Sequence, residues 1–160
     1  MANEIKTFAS KVLFALSTNN FNAVFGRISA RLGELGNNTE ENPDYSDIEL
    51  MQHINVDVGR LVKLLNEINQ KFRSLRKSAQ VVVMTSLERA VWSWLDTYPS
   101  EFVDIHKERN EELSMCCETM FEHLDGFSDN SKKRAQTWPL QIIMLAVSYT
   151  HLTLPTNREV

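Results

Sequence analysis

A chain of 160 residues is long enough for one buried core, and its 42% hydrophobic and 24% charged side chains are ordinary for a soluble globular protein. Seventeen basic against 21 acidic side chains leave a net charge of −4, which argues against the broad basic face that nucleic-acid backbones require. Only 5 Gly and 4 Pro are present, with no short alternating runs between turn pairs, so helices are favoured over sheets.

In chain order, the first predicted helix spans residues 3–17, with Ile5, Phe8, Val12 and Leu16 as its buried face and Ala9 and Leu13 beside them. Thr18, Asn19 and Asn20 read as a break, and either Asn can cap the next helix by accepting a bond from a free backbone N–H. A second helix over residues 21–35 carries Phe21, Val24, Phe25, Ile28, Leu32 and Leu35 on one side and Arg27 and Arg31 on another. Two amphipathic helices joined by so short a turn are expected to form an antiparallel hairpin. Residues 36–45, GNNTEENPDY, are polar and contain Pro43, and Gly36 is a helix stop, so this stretch reads as a loop. Asn37, Asn38 and Thr39 fit a glycosylation sequon, but a polar loop is the simpler reading. Ser46 and Glu49 match a capping box for a short helix to about residue 54, and Asp57 is positioned to cap the next one.

Residues 58–77 hold the most regular pattern, with Val58, Leu61, Leu65, Ile68, Phe72 and Leu75 three and four apart. About three heptads would permit a coiled coil, but Val62 and Leu64 widen the apolar surface and favour a long helix inside a packed array. Lys77 and Ser78 are expected to hold the turn into residues 79–95, AQVVVMTSLERAVWSWL. There Val83, Leu87, Val91 and Trp94 recur at helical spacing, while Val81, Val82, Met84, Trp92 and Leu95 make most of the circumference apolar, as in a helix lying between neighbours. The valine run would also suit a strand, but about four turns of continuous pattern decide for helix. Beyond Pro99, Ser100 can cap a short helix bearing Phe102 and Ile105. Residues 106–112, HKERNEE, read as a charged link. A helix over residues 111–124 presents Leu113, Cys117, Met120 and Leu124, closed by Asp125 and Gly126. Residues 128–134 are polar and read as another connection or an N-terminal turn, and a last helix contains Trp138, Leu140, Ile143, Met144 and Val147, with Pro139 in its first turn or at a kink.

The longest apolar run, residues 138–147, includes Gln141 and falls short of the roughly 20 residues of a membrane helix. The start of the chain, MANEIKTFASKVLFALS, lacks the basic, apolar and small-residue sections of a secretory signal. Cys116 and Cys117 are adjacent and form no CxxC or zinc pattern, which suits a reducing compartment.

The residues offer little chemistry. His53, His106, His123 and His151 are far apart in sequence and form no HxxxH or HExxH pair, so no metal ligands are assigned. Cys116 and Cys117 have apolar neighbours and no visible base, and read as inert thiols rather than nucleophiles. Gly26, Gly33 and Gly36 are not followed by the Lys-Ser/Thr of a phosphate loop. The acidic residues read as solvated helix faces. Lys71, Arg73, Arg76 and Lys77 cluster where positive charge suits a helix C-terminus, with docking of an acidic partner as the other reading. Lys132, Lys133 and Arg134 are short for a nuclear import signal and read as a solvated loop. Trp92, Trp94 and Trp138 read as core anchors rather than a base-stacking platform. No catalytic, cofactor-binding or metal-binding residue and no cofactor is assigned.

From FNAVFGRISARL at residues 21–32, through DIELMQHINVD (47–57), SLERAVWSWLDTYPSEF (86–102), LDGF (124–127) and WPLQIIML (138–145), the chain resembles the neurofibromin family of Ras regulators. The likeness is collinear from about residue 10 to residue 145. It implies a fragment of that family's N-terminal helical-repeat region, over residues 1–146. Members of the family stimulate GTP hydrolysis on Ras by presenting an arginine to the transition-state phosphate. That arginine, and a helix resembling FLRFINPA, belong to a separate central domain; neither motif occurs in this sequence, so no arginine here inherits the role. The implied part is non-enzymatic and architectural. Its implied partners are the neighbouring repeats and a second copy of the parent, with Ras reached only through the central domain, in the cytoplasm and, for the parent, the nucleus as a second compartment. Residues 147–160, VSYTHLTLPTNREV, depart from the family pattern, resemble a translated adapter or vector tail, and are expected to be disordered.

The expected fold is therefore all-α, with antiparallel helical hairpins stacked as an α-solenoid of the HEAT or armadillo kind and a compact helical bundle as the second choice. The alternative function is a freestanding interaction module, in one form a coiled-coil dimer built on the residue 58–75 seam. A small helical enzyme using Cys116 or Cys117 is the least supported reading.

Overall fold

The computed structural model describes residues 2–37, 40–103, 107–124, 140–141 and 143–145. All regular structure among them is helical: α1 (Ala2–Asn37), α2 (Ser46–Glu49) with a 3-10 turn at Leu50–Gln52, α3 (Val58–Lys71) with a 3-10 turn at Phe72–Ser74, α4 (Lys77–Thr97), α5 (Pro99–Val103) and α6 (Lys107–Leu124). None of these helices is long and apolar enough to cross a membrane. The expected sequon and the tail over residues 147–160 lie in whole or in part outside the described residues, as do His106, His151, Trp138 and the 132–134 basic run.

The predicted break between residues 3–17 and 21–35 is present as a kink that joins two helical stretches. Both stretches belong to α1, which departs from helical geometry only at Asn20 (φ −125°, ψ 36°). Thr18 Oγ1 donates to the Phe14 carbonyl (3.0 Å) and Asn20 Nδ2 to the Leu16 carbonyl (3.2 Å). Polar side chains that bond back one turn bend a helix without ending it, so the three residues that looked like a break produce a kink. The expected face of the first stretch is also overturned: Ile5, Phe8, Val12 and Leu16 are 64, 71, 42 and 53% exposed. Its inner side is formed instead by the half-buried Ser10, Leu13 and Phe14 and the buried Ser17. Past the kink the prediction holds, with Phe21, Ile28, Leu32 and Leu35 buried.

The true reversals come later. Arg31 reaches the Asp44 carbonyl, Arg27 pairs with Asp47, and Ser10 meets His53, so α2 and its 3-10 turn run back along α1. Asp44, not Glu49, accepts the Ser46 N–H (2.9 Å), and no side-chain cap bond closes the expected capping box. The Ser46 backbone and side chain, with the Arg31 charge, outweigh slight burial and hold the Asp44 carboxyl below its ordinary range. Asp57 caps α3 as expected, accepting from the Arg60 N–H (2.9 Å). The α-helical part of α3 ends at Lys71; the chain turns through the extended Leu75 (φ −79°, ψ 146°), two residues before the expected turn at Lys77 and Ser78. The charged stretch at residues 107–112 is the first part of α6 rather than a link.

Contact register fixes the directions. Asn22 meets Lys63, Ser29 meets Lys71, and α3 therefore runs alongside α1 in the same sense. Asn69 meets Cys116 and Arg73 meets His123, so α6 runs in that sense too. Tyr45 meets Ser78 and Gln52 meets Ser86, placing α2 beside α4 with both running the opposite way. Two layers result: α1, α3 and α6 in one, α2 and α4 in the other. A Cβ on Gly36 would lie 2.6 Å from Ser74 Oγ, so glycine permits the end of α1 to approach the turn after α3.

The interlayer core contains Ile48, Met51, Ile54, Leu61, Leu65, Ile68, Phe72, Val83, Leu87, Val91 and Trp94, each at most 1% exposed. Trp94 and the apolar residues around it anchor this core as the pattern predicted, although Val81 and Trp92 lie on an exposed side of α4. The heptad-like seam of residues 58–75 is used internally, because Leu61, Leu65, Ile68, Phe72 and Leu75 are buried within the chain. A coiled-coil dimer on that seam would have to open the core.

Candidate functional site

Two places gather polar side chains. The first is a junction centred on Asn55, all four of whose polar groups are paired. Its N–H donates to Ser17 Oγ (2.8 Å), its Nδ2 to Thr18 Oγ1 (2.9 Å), its Oδ1 accepts from the Tyr98 hydroxyl (2.7 Å), and its carbonyl accepts from Arg60 (3.0 Å). Arg60 also donates to the Thr18 carbonyl and stacks over the Phe21 ring (4.8 Å). Glu101 completes the junction: one carboxylate oxygen accepts from the Val58 N–H and from Trp94 Nε1, each at 3.1 Å. Kink, linker, α3 and the end of α4 are thereby tied together through hydrogen bonds, of which the Asn55 N–H to Ser17 is buried and most of the others are partly buried. Such a network is costly to leave half satisfied and specifies one arrangement when complete. Sequence reasoning missed it; the only local signal was a lone Asn among apolar residues, INVD, where a core residue would be expected.

The second place is a groove of about 710 Å³ between α3 and α6, lined by Asn66, Asn69, Met115, Cys116, Thr119 and His123 among others. Parallel packing of the two helices leaves it, with α3 supplying amides and α6 supplying thiol and imidazole. Burial, with the Glu112 charge, pushes the Cys116 thiol up, and its Sγ donates to Asn66 Oδ1 (3.1 Å). Burial and the neighbouring Cys116 and Glu118 push Cys117 up to about 12. Both thiols stay protonated at neutral pH, and a protonated thiol bonded to an amide is a poor nucleophile. His123 Nδ1 accepts from Arg73 Nε (2.9 Å), which puts the proton of the neutral ring on Nε2. Burial and the Arg73 charge lower the His123 pKa, against the Asn69 carbonyl and Glu122, and the ring stacks on Phe72. His123 Nε2 and Asn69 Oδ1 are buried without hydrogen bonds. This geometry offers a cleft of mixed polar and apolar lining with a neutral imidazole at one end, not an activated nucleophile with its base.

The other candidates are dispersed. His53 bonds Ser10 at the base of α1, remote in register from His123, and among the described residues no three His, Cys, Asp or Glu side chains gather as metal ligands. The basic cluster is also dispersed. Lys71 pairs with Glu67 and bonds Ser29, Arg73 bonds His123, and Arg76 donates to the Glu40 carbonyl. Burial pushes the Glu67 carboxyl up, but hydrogen bonds from Lys71 and Ser29 and the Lys71 charge outweigh it and hold it below its ordinary range. Three of the four cations thus tie elements of the chain together, so a shared acidic-partner surface gains nothing from them. Trp94 is fully buried, whereas Trp92 is 44% exposed. No protein-family model matches the sequence.

Proposed function

We propose that the chain is a scaffolding segment of a neurofibromin-like regulator of Ras, a stretch of stacked helix pairs that supports a catalytic domain lying elsewhere. The observation that carries this reading is the direction of the helices: α1, α3 and α6 run one way and α2 and α4 the other. Alternating directions of this kind support a helical array in which each pair buries its apolar face against the next. The collinear likeness at residues 21–32, 47–57, 86–102, 124–127 and 138–145 supplies the family, and an α-solenoid is the architecture proposed with it. On this reading the chain binds no cofactor and presents no arginine to GTP.

The test has two parts. Added to Ras·GTP, the purified chain should leave the hydrolysis rate at its intrinsic value. Deleting the corresponding segment from an intact neurofibromin-like protein should reduce the folded yield of that protein while leaving the rate of its isolated catalytic domain unchanged. Acceleration by the chain alone, or an undiminished yield after deletion, would overturn the proposal. The second reading, a freestanding interaction module, draws on a different observation, the bare apolar side of α1.

A further inference from the structure

Among the described residues, the buried side-chain atoms without a hydrogen bond are Asn69 Oδ1 and His123 Nε2, and both residues line the α3–α6 groove. Their chemistry is complementary. Asn69 Nδ2 is held by the Cys116 carbonyl (3.0 Å), which leaves Oδ1 as an acceptor. Arg73 Nε occupies His123 Nδ1, so the neutral ring offers Nε2–H as a donor. Burying such a pair without partners is costly, and a ligand that supplies both partners recovers the cost. We propose that the groove is a docking site for an extended segment of a partner polypeptide. One residue of that segment accepts from His123 Nε2 through its carbonyl and donates to Asn69 Oδ1 through its N–H. This surface goes beyond the scaffolding reading and could stand if the Ras assignment failed.

Three observations select that occupant. The first is the pairing itself: in an extended strand the N–H and C=O of one residue point to the same side, as they do when antiparallel strands exchange both bonds. A docked helix has already spent these groups internally, and an anion would satisfy only the donor. The second is length. The lining runs from Gly59 to Gln70 on α3 and from Glu112 to His123 on α6, roughly 16 Å on each side at 1.5 Å per residue. That admits about five residues of extended chain, whereas a lone carboxamide would use one end alone. The third is the remaining lining. Asn66, one turn before Asn69, gives its Oδ1 to the Cys116 thiol and keeps its amide N–H groups for a second carbonyl. Val62 and Met115 form an apolar wall farther along, with Met115 68% exposed, and suit an apolar side chain of the same segment.

Selection of phage-displayed linear heptapeptides on the full chain tests this, with each selected peptide measured again by fluorescence anisotropy. The expected peptides bind the parent roughly tenfold more tightly than His123→Phe, which keeps a ring against Phe72 and removes the Nε2–H. The unfolding midpoint of His123→Phe should not fall, because the lost donor has no partner and Arg73 is exposed to water. Met115→Lys, at an exposed position, should weaken the same peptides with the fold intact. Methylating the peptide's backbone nitrogens one at a time should reveal one position whose N–H is indispensable. Failure to select any peptide overturns the proposal, as do peptides indifferent to either substitution or a methylation scan with no sensitive position. Complete displacement by millimolar acetamide also overturns it, since the groove would then be a carboxamide pocket.

Discussion

The two parts of α1 are equally apolar in sequence and opposite in circumstance. Beyond Asn20 the helix lies against α2 and α3, and Ile28 and Leu32 are fully buried. Before Asn20 its first described side-chain bond to a distant residue is at Ser10, and the turns ahead of it extend past the other described residues, with Phe8 71% exposed. Apolar periodicity reports that a side of a helix is to be covered. It carries no information about whether the cover comes from the same chain.

That contrast can be broken by mutation. Leu32→Ala should cost about 2–5 kcal/mol, the usual range for emptying a buried leucine site, and Trp94→Ala about 3–5 kcal/mol. Phe8→Ala, measured on dilute protein, should fall within about 0.5 kcal/mol of the parent. Chemical denaturation gives all three, and similar costs for Leu32 and Phe8 would erase the distinction between the two parts of α1. Next in size is the joint between them. Ser17→Ala removes the acceptor of the buried Asn55 N–H and should cost about 1–3 kcal/mol, the penalty for leaving such a donor unpaired. Conversion to Gly at the same site should cost no less, because the loss is the hydroxyl. A neutral Ser17→Ala would mean that the Asn55 junction does not hold the kink. The smallest effects are those of two glycines beyond the kink. Gly26 has open space where a Cβ would sit, and Gly26→Ala should stabilise by roughly 0.5–1 kcal/mol through helix propensity. Gly36→Ala must push Ser74 aside and should lower the midpoint, so the two substitutions should move thermal unfolding in opposite directions.

Much of the helical content was legible because the pattern is long and strong. Leu61, Leu65 and Ile68, and likewise Val83, Leu87 and Val91, sit at spacings that only a helix turns to one side, and all six are buried. Asp57 announced a helix start by chemistry alone. The failures share one cause: each needed knowledge of a partner distant in sequence. Thr18, Asn19 and Asn20 look like a break because their side chains compete for backbone bonds; here Thr18 and Asn20 direct theirs one turn back within α1, and Asn55 fastens the kink from 37 residues away. Ser46 fits a capping box until Asp44 takes its N–H. The α3–α6 groove was illegible for the same reason, since Asn66 and Asn69 carry no signal until parallel packing brings them beside Cys116. The burial of the thiols was legible, because Cys116 and Cys117 stand among apolar neighbours in the sequence.

Native-state hydrogen exchange on the dilute full chain tests the central claim, that α1 is half core and half overhang, most directly. The account predicts that backbone amides at residues 25–35 share the slow exchange of α3 and α4, while those at residues 6–9 exchange at least about a hundredfold faster. Equal protection along the whole of α1 in the monomer, or stronger protection before Asn20 than after it, would contradict it.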